Sequence, residues 1–205
     1  MLRDLQRVLF HESTILRRLD EIAADITDDF SDRAGELTVV AVLNGSFMFL
    51  SDLLRRIPLP LRVECVSVSS YHGTTQSSGT VTFDQLSTPA VAGRHVLILD
   101  DILDSGLTLH AIREKLVAAG ARSVRICVLL RKIRTRVRDV DADYVGFDIA
   151  DEFVVGYGLD FQEQYRNLPC IGVLRDAIIR TGLMENPAVT AAAKTSPEIS
   201  APDPV

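Results

Sequence analysis

The sequence predicts an α/β protein built on a mainly parallel sheet flanked by helices. Three observations carry that prediction. Short apolar runs recur at residues 38–43, 96–99 and 124–130, as expected of strands buried on both faces. Amphipathic stretches separate these runs, which is the pattern of βαβ units. With 205 residues, 47% of them hydrophobic and 24% charged, the chain has enough apolar surface for one sizeable core.

The elements follow in order. A first helix is predicted over 12–30, where Ile15, Leu16, Leu19, Ile22, Ala23 and Ile26 recur at helical spacing. Residues 38–43 (TVVAVL) form a buried strand, broken by Asn44-Gly45-Ser46, and 47–57 reads as a helix that stops before Pro58. Residues 61–70, with several β-branched side chains, read as a strand. The stretch 71–80 (YHGTTQSSGT) has almost no apolar content and two glycines, and is expected to be a long mobile loop of the kind that often carries function. A strand at 96–99 leads to a helix at 107–119, closed by Gly120. Strands at 124–130, 144–147 and 153–155 complete the pattern. From residue 185 onward lie four of the eight prolines, with a run of Ala, Thr and Ser. The expectation is one domain over 1–183 and a disordered tail over 184–205. Ligands on such sheets sit at the carboxyl ends of the strands, which directs attention to the residues after 43, 99 and 130.

Composition excludes several function classes. The chain carries 22 basic and 28 acidic residues, a net charge of −6. With a pI near 5.2, this argues against a broad nucleic-acid footprint. The one basic run (Arg131, Lys132, Arg134, Arg136 and Arg138) is followed by six acids between 139 and 152, which weakens any polyanion field. No run approaches the ~18 apolar residues of a membrane span. The first ten residues mix charges with apolar side chains and lack a signal-peptide apolar region. Cys65, Cys127 and Cys170 are odd in number, contain no CxxC pair and read as packing residues; the expected compartment is the cytoplasm. The four histidines show no metal-ligand spacing, and His72 reads as a solvated loop residue.

The stretch that carries chemistry is 95–110, HVLILDDILDSGLTLH. An apolar strand runs into Asp100-Asp101, and Asp104-Ser105-Gly106-Leu107-Thr108 then opens a helix. Burying adjacent carboxylates is costly unless hydroxyls or a metal compensate. The small-polar turn supplies backbone N–H groups, two hydroxyls, a glycine and a helix N-terminus, the requirements for holding a phosphate monoester. Acids for a sugar diol beside a phosphate cradle suggest a ribose-5-phosphate pocket. The plainer alternative is Asp104 or Ser105 as a helix N-cap. Neither a Walker A loop nor a GxGxxG fingerprint is present.

LILDDILDSGLTL resembles the phosphoribosyl-pyrophosphate signature of type I phosphoribosyltransferases. Four further stretches are similar to the hypoxanthine-guanine subgroup of that family: VAVLNGSFMFLSDLLRRI (40–57), VSSYHGTTQSSGTV (68–81), LLRK (129–132) and DYVGFDIADEFVVGYGLDFQEQYRNLPCIGVL (143–174). The resemblance spans roughly residues 9–180 in order, and the last block makes it specific for purine salvage.

The resemblance implies a type I phosphoribosyltransferase core with a small hood built from chain-terminal segments. It also implies transfer of the 5-phosphoribosyl group from phosphoribosyl pyrophosphate to a 6-oxopurine, with Mg²⁺ as cofactor. By implication Asp100 and Asp101 face the ribose hydroxyls with Mg²⁺ nearby, and Asp104 serves the purine N7 proton. Ser105, Gly106, Leu107 and Thr108 bind the 5′-phosphate. Lys132 donates to the 6-oxo group and disfavours adenine. Phe153 stacks on the purine and the Val154 backbone reads its edge; Asp160 reaches Mg²⁺ and Arg166 contacts pyrophosphate. Leu43, Asn44 and Gly45 form the pyrophosphate loop, often with a non-proline cis peptide. Ser70 and Tyr71 open a loop that closes over the reaction centre. A homo-oligomer, dimer or tetramer, is the implied assembly.

Two departures concern affinity: Asn44 stands where the family commonly has Lys, and Leu107 where many relatives have Lys or Arg. The family usually has Glu-Asp where this chain has Asp100-Asp101. A rival expectation from another class is a regulator of the same fold that binds nucleotide and nucleic acid through the basic run. The net charge and the retained Asp104 and Lys132 count against it.

Overall fold

The computed structural model describes residues 1–33, 35–69, 82–83, 89–135 and 137–185. The elements are β1 (Leu5–Phe10), α1 (Glu12–Phe30), β2 (Leu37–Leu43), α2 (Phe47–Leu54), β3 (Leu61–Ser69), β4 (Thr82–Phe83), β5 (His95–Leu103), α3 (Leu107–Ala118), β6 (Ser123–Lys132), β7 (Tyr144–Ile149), β8 (Val154–Val155), β9 (Ile171–Leu174) and α4 (Asp176–Glu185). The main sheet has the order β4-β3-β2-β5-β6-β7. All its strands are parallel except β4, which pairs antiparallel with β3 at the edge.

Strand alternation sorts the core into two layers. Val39, Ala41, Leu97, Leu99, Cys127 and Leu129 face one way and meet Ile15, Leu19, Ile22, Ile26 and Phe30 of α1 with Phe49 and Leu53 of α2. Val40, Val42, Val96, Ile98, Ile126 and Val128 face the other way and meet Leu109, Ile112 and Leu116 of α3. Full burial on both faces explains why these strands read as unbroken apolar runs. Cys127 and Cys170 are buried as expected, but Cys65 is exposed, because it points outward from β3.

The expected hood is present. β1, β9 and β8 form a small antiparallel sheet over its own cluster of Leu5, Val155, Tyr165, Leu168, Cys170 and Leu174. No helix among the described residues is long and apolar enough to cross a membrane. Three boundaries differ from expectation. β5 continues to Leu103 and β6 to Lys132, so Asp100, Asp101 and Lys132 lie within strands rather than after them. Their backbones stay in the ladder, with Asp100 opposite Val128 and Ile102 opposite Leu130. α2 ends at Leu54, and a turn with Arg56 N–H and Ile57 N–H donating to Leu53 and Leu54 carries the chain to Pro58.

Candidate active site

From β2 the chain moves outward to β3, then returns to place β5 on the other side of β2. The strand order therefore reverses between β2 and β5, and the crevice at their carboxyl ends is the natural ligand site. The pairing of Ala41 with Leu99 brings Leu43 level with Asp101. A cavity of about 260 Å³ opens there, lined by Leu43, Gly45, Asp100, Asp101 and the 104–109 turn.

The Leu43–Asn44 peptide is cis, as the resemblance implied. Gly45 is dictated by its neighbour: a Cβ at this position would lie 1.6 Å from Asp101 Oδ2. Asp100 is only 7% exposed. Burial draws its carboxyl well above the ordinary carboxylate range, and the charge of Asp101 adds to the effect. Burial raises Asp101 as well, opposed by its bonds to Asp100 and to backbone N–H groups and by the positive charge of Arg166.

At the next turn, Gly106 has φ +79° and starts α3 with no side-chain cap. A Cβ on it would meet Val140 Cγ1 at 2.8 Å, while Val137 N–H and Arg138 N–H donate to Ser105 O from behind. This glycine is needed for its left-handed backbone and for the segment packed against it. Asp104 does not cap the helix. It turns to Lys132 Nζ (3.2 Å) and Arg134 Nη1 (2.9 Å). The plain N-cap reading therefore fails for Asp104; Ser105, one residue before the N-cap Gly106, accepts a long bond from Leu107 N–H at 3.4 Å, and the other N–H groups of the first turn keep the polarity that suits an anion.

A second cavity, about 230 Å³, shares Asp101, Ile102 and Asp104 with the first and adds Lys132, Glu152, Phe153, Val154, Leu159 and Asp160. Phe153 is 42% exposed and meets Phe161 edge-on at 5.4 Å, leaving ring surface for a planar ligand. A third cavity, about 440 Å³, is lined by Leu43, Asn44, Phe47, Met48, Gly158 and Arg166. Asp160 and Arg166 sit on a hood loop that holds Tyr157, Gln162, Glu163 and Tyr165 at positive φ. Such clusters of left-handed residues persist only where surrounding contacts enforce them. Here Tyr157 OH donates to Asp52 Oδ2 on α2 at 2.6 Å, and Arg166 binds Asp160 Oδ1 (2.9 Å) and Gly158 O (3.0 Å). A Cβ on Gly158 would lie 2.0 Å from Gly45 O, so the hood loop rests directly on the loop after β2.

The structure thus gathers nearly all the described residues that the sequence singled out. Leu107 opens α3 but lines none of these cavities. Ser70, Tyr71, His72 and the tail from 186 lie outside the described residues. Sequence reasoning missed Arg134 and Asp151. Lys132 Nζ and Arg134 Nη1 each bridge Asp104 to Asp151, closing a ring of alternating charge beside the second cavity. The only available signal was the basic run itself. Arg131 of that run is held by Asp141 and Asp148. Arg131, Lys132 and Arg134 are thus each paired with acids, which removes support for a polyanion-binding regulator.

Among the described residues, no three His, Cys, Asp or Glu side chains close into a metal site by themselves. The donors present are oxygens of Asp100, Asp101 and Asp160. Such a set suits Mg²⁺, which takes one or two carboxylates and completes its shell with water and substrate phosphates.

Adjacent acids at the switch point, an uncapped helix N-terminus beside them and a cation facing an aromatic ring define a protein that handles a ribose phosphate and a planar base. The comparisons agree. The model of the phosphoribosyl transferase domain family matches residues 8–162. Hypoxanthine-guanine phosphoribosyltransferases of Staphylococcus epidermidis and Bacillus subtilis are 45% and 42% identical to the chain. The alignments cover 85% and 87% of this chain and 97% and 98% of those relatives. A crystal structure of a hypoxanthine phosphoribosyltransferase from Staphylococcus aureus superposes with TM-score 0.81 at 44% identity, covering 87% of this chain and 96% of that one. The chain belongs to the phosphoribosyl transferase domain family and, within it, to the hypoxanthine-guanine phosphoribosyltransferases.

Proposed function

We propose that this protein transfers the 5-phosphoribosyl group of phosphoribosyl pyrophosphate to hypoxanthine or guanine, giving the nucleoside 5′-monophosphate and pyrophosphate. The observation that carries this reading is the pair of adjoining cavities. One has acids and an uncapped helix start, the other has Lys132 and Phe153, and Asp101, Ile102 and Asp104 form the shared wall. A sugar at that wall would place its phosphate on one side and the base on the other.

Asp100 and Asp101 receive the ribose hydroxyls, and residues 104–108 the 5′-phosphate. Leu43, Asn44, Gly45 and Arg166 hold the pyrophosphate. Phe153 stacks on the purine and the Val154 backbone reads its edge. Lys132 donates to the 6-oxo group, a contact that adenine's amino group cannot accept. As the C1′–O bond to pyrophosphate breaks, positive charge grows on the ribose and negative charge on the leaving group, where Arg166 stabilises it. N9 of the base attacks the opposite face while Asp104 takes the N7 proton. Mg²⁺ would be held beside Asp100 and Asp101 at the ribose or by Asp160 on the pyrophosphate side, and when bound would neutralise pyrophosphate oxygens. Ser70 and Tyr71 belong to the segment that excludes water from the activated sugar. Asn44 and Leu107 provide no cation where relatives commonly do, which weakens phosphoribosyl-pyrophosphate binding and leaves the reaction type intact. We place the enzyme in the cytoplasm, as a homo-oligomer.

The test is a nucleotide-formation assay with Mg²⁺, phosphoribosyl pyrophosphate and, separately, hypoxanthine, guanine, xanthine or adenine. Product is expected with hypoxanthine or guanine, none with adenine, and much less with Asp104→Asn. No product with any base would sink the reading.

A further inference from the structure

We propose that Arg134 is an electrostatic latch on the base subsite: it occupies Asp104 when no purine is bound and shifts to Asp151 when one enters. This rests on the proposed role of Asp104 toward the purine N7 proton. In the structure both Asp104 oxygens are engaged, Oδ2 by Lys132 Nζ at 3.2 Å and Oδ1 by Arg134 Nη1 at 2.9 Å. Each carboxylate oxygen has two lone-pair sites, so an N7–H bond adds to these contacts and competes with them for the same negative charge.

The two cations are not equivalent. The Lys132 side chain is 12% exposed, follows the buried part of β6 and is held by Asp151 at 3.1 Å as well. The Arg134 side chain is 39% exposed and lies beyond the end of β6. It leaves at lower cost because solvent can replace what it loses. It also has a second acceptor already within reach, Asp151 Oδ2 at 3.3 Å. Base binding therefore exchanges a two-acid contact for a one-acid contact and leaves Lys132 in place for the 6-oxo group. The other charged groups around the ring are Glu152, which pairs with Arg7, and Asp160, which pairs with Arg166. Neither takes Arg134 from its two acids.

The latch makes a purine compete with an ion pair for Asp104. Exposed pairs of this kind are worth about 0.2–1 kcal/mol, so removing the latch should tighten base binding by a factor of roughly 1.4 to 5. The effect belongs to the base alone, because neither the 5′-phosphate turn nor the pyrophosphate loop contains Arg134. It should also fade with salt, which screens exposed pairs.

The experiment compares the wild type, Arg134→Gln and Arg134→Lys by calorimetry with 9-deazahypoxanthine, in the presence of Mg²⁺ and phosphoribosyl pyrophosphate. This probe keeps the N7 proton but has carbon in place of the attacking N9, so it binds without reacting. The expected result is a Kd lower by a factor of roughly 1.4 to 5 for Arg134→Gln at low salt. Arg134→Lys should behave like the wild type, and the variants should converge at high salt. In parallel, the hypoxanthine KM should fall while the phosphoribosyl-pyrophosphate KM does not. An unchanged or higher Kd in Arg134→Gln, or a difference that persists at high salt, would overturn the latch. Wild-type protein that binds the probe but never turns over hypoxanthine would sink the proposed reaction and leave the latch standing. Failure to bind the probe at all would sink both.

Discussion

Replacing Gly45 by Ala is the sharpest test of how the loop after β2 and the acids of β5 depend on each other. The added Cβ would sit 1.6 Å from Asp101 Oδ2 and 2.6 Å from its Cγ, and the gap must open by about 1.4 Å before it reaches the ~3.0 Å floor of real contacts. Gly45 cannot retreat easily, since its carbonyl lies against Gly158 and the buried Ser46 hydroxyl donates to Val42 O next to it. The Asp101 backbone is fixed within β5, so its carboxylate must rotate away. That rotation removes one charged hydrogen-bonding group from the ribose side, worth about 1.5–3 kcal/mol. In kcat/KM this is a loss of roughly 10- to 150-fold. Overpacking of this size destabilises by about 1–3 kcal/mol. At roughly 2–4 °C per kcal/mol, melting should fall by about 2–12 °C. Steady-state kinetics and thermal melts on Gly45→Ala, Asp101→Ala and the double variant form a cycle. With the Asp101 carboxylate gone, Gly45→Ala should destabilise far less than it does alone. If Gly45→Ala melts as low in the Asp101→Ala background, the steric coupling between these residues is wrong.

Other expectations follow from the same geometry. Burial draws Asp100 and Asp101 toward protonation, so a ligand that needs them ionised must displace protons; the Kd of Mg²⁺–phosphoribosyl pyrophosphate should fall as pH rises above the ordinary carboxylate range, as titration calorimetry can show. For the ligand-free protein the raised Asp100 contributes stability that is present at low pH and lost as pH climbs above the ordinary carboxylate range, so the melting advantage of Asp100→Asn should widen toward neutral pH. Lys132→Gln removes a charged donor worth about 1.5–3 kcal/mol, and kcat/KM for hypoxanthine should drop roughly 10- to 150-fold while the phosphoribosyl-pyrophosphate KM changes little, as steady-state assays read. Removing residues 187–205, which the composition marks as a tail, should leave melting and turnover intact; loss of either would show that the segment belongs to the working domain.

Legibility in the sequence tracked burial on both faces. β2, β5, β6 and α1 were readable because two-sided burial or an amphipathic stripe writes a continuous or periodic apolar pattern. β1 was not, because Leu5 is its only fully buried residue and Gln6, Arg7 and Val8 are exposed. β9, four residues long, is too short to show a period, whereas β8 falls within the strand expected at 153–155. The hood was accessible only through family resemblance, since its strands come from opposite ends of the chain. In the site, the 100–108 segment was legible because acids, hydroxyls and a glycine stood together at the end of an apolar run. Arg134 and Asp151 were not, because an ion pair between residues 17 apart leaves no periodic trace, and a basic run ordinarily marks a solvated face.

The place where the sequence reading stopped short also explains how the site works. The apolar run ends at Leu99, which suggests that the acids follow the strand, yet β5 continues through them to Leu103. In a continuing strand, neighbours point to opposite faces. Asp100 therefore shares the side of Val96 and Ile98, the layer covered by α3, whose first turn is the phosphate cradle. Asp101 shares the side of Leu97 and Leu99, the layer covered by α2, and meets Gly45 in the loop that precedes it. Two consecutive residues thus reach two loops, the turn before α3 and the loop after β2, from the wall of one cavity. A flexible loop could not hold two desolvated like charges so close together, since they would rotate apart into water. The ladder bonds opposite Val128 and Leu130 prevent this. The stability lost by burying Asp100 and Asp101 is the counterpart of a site already formed for a diol and a cation, and it is offset when they bind.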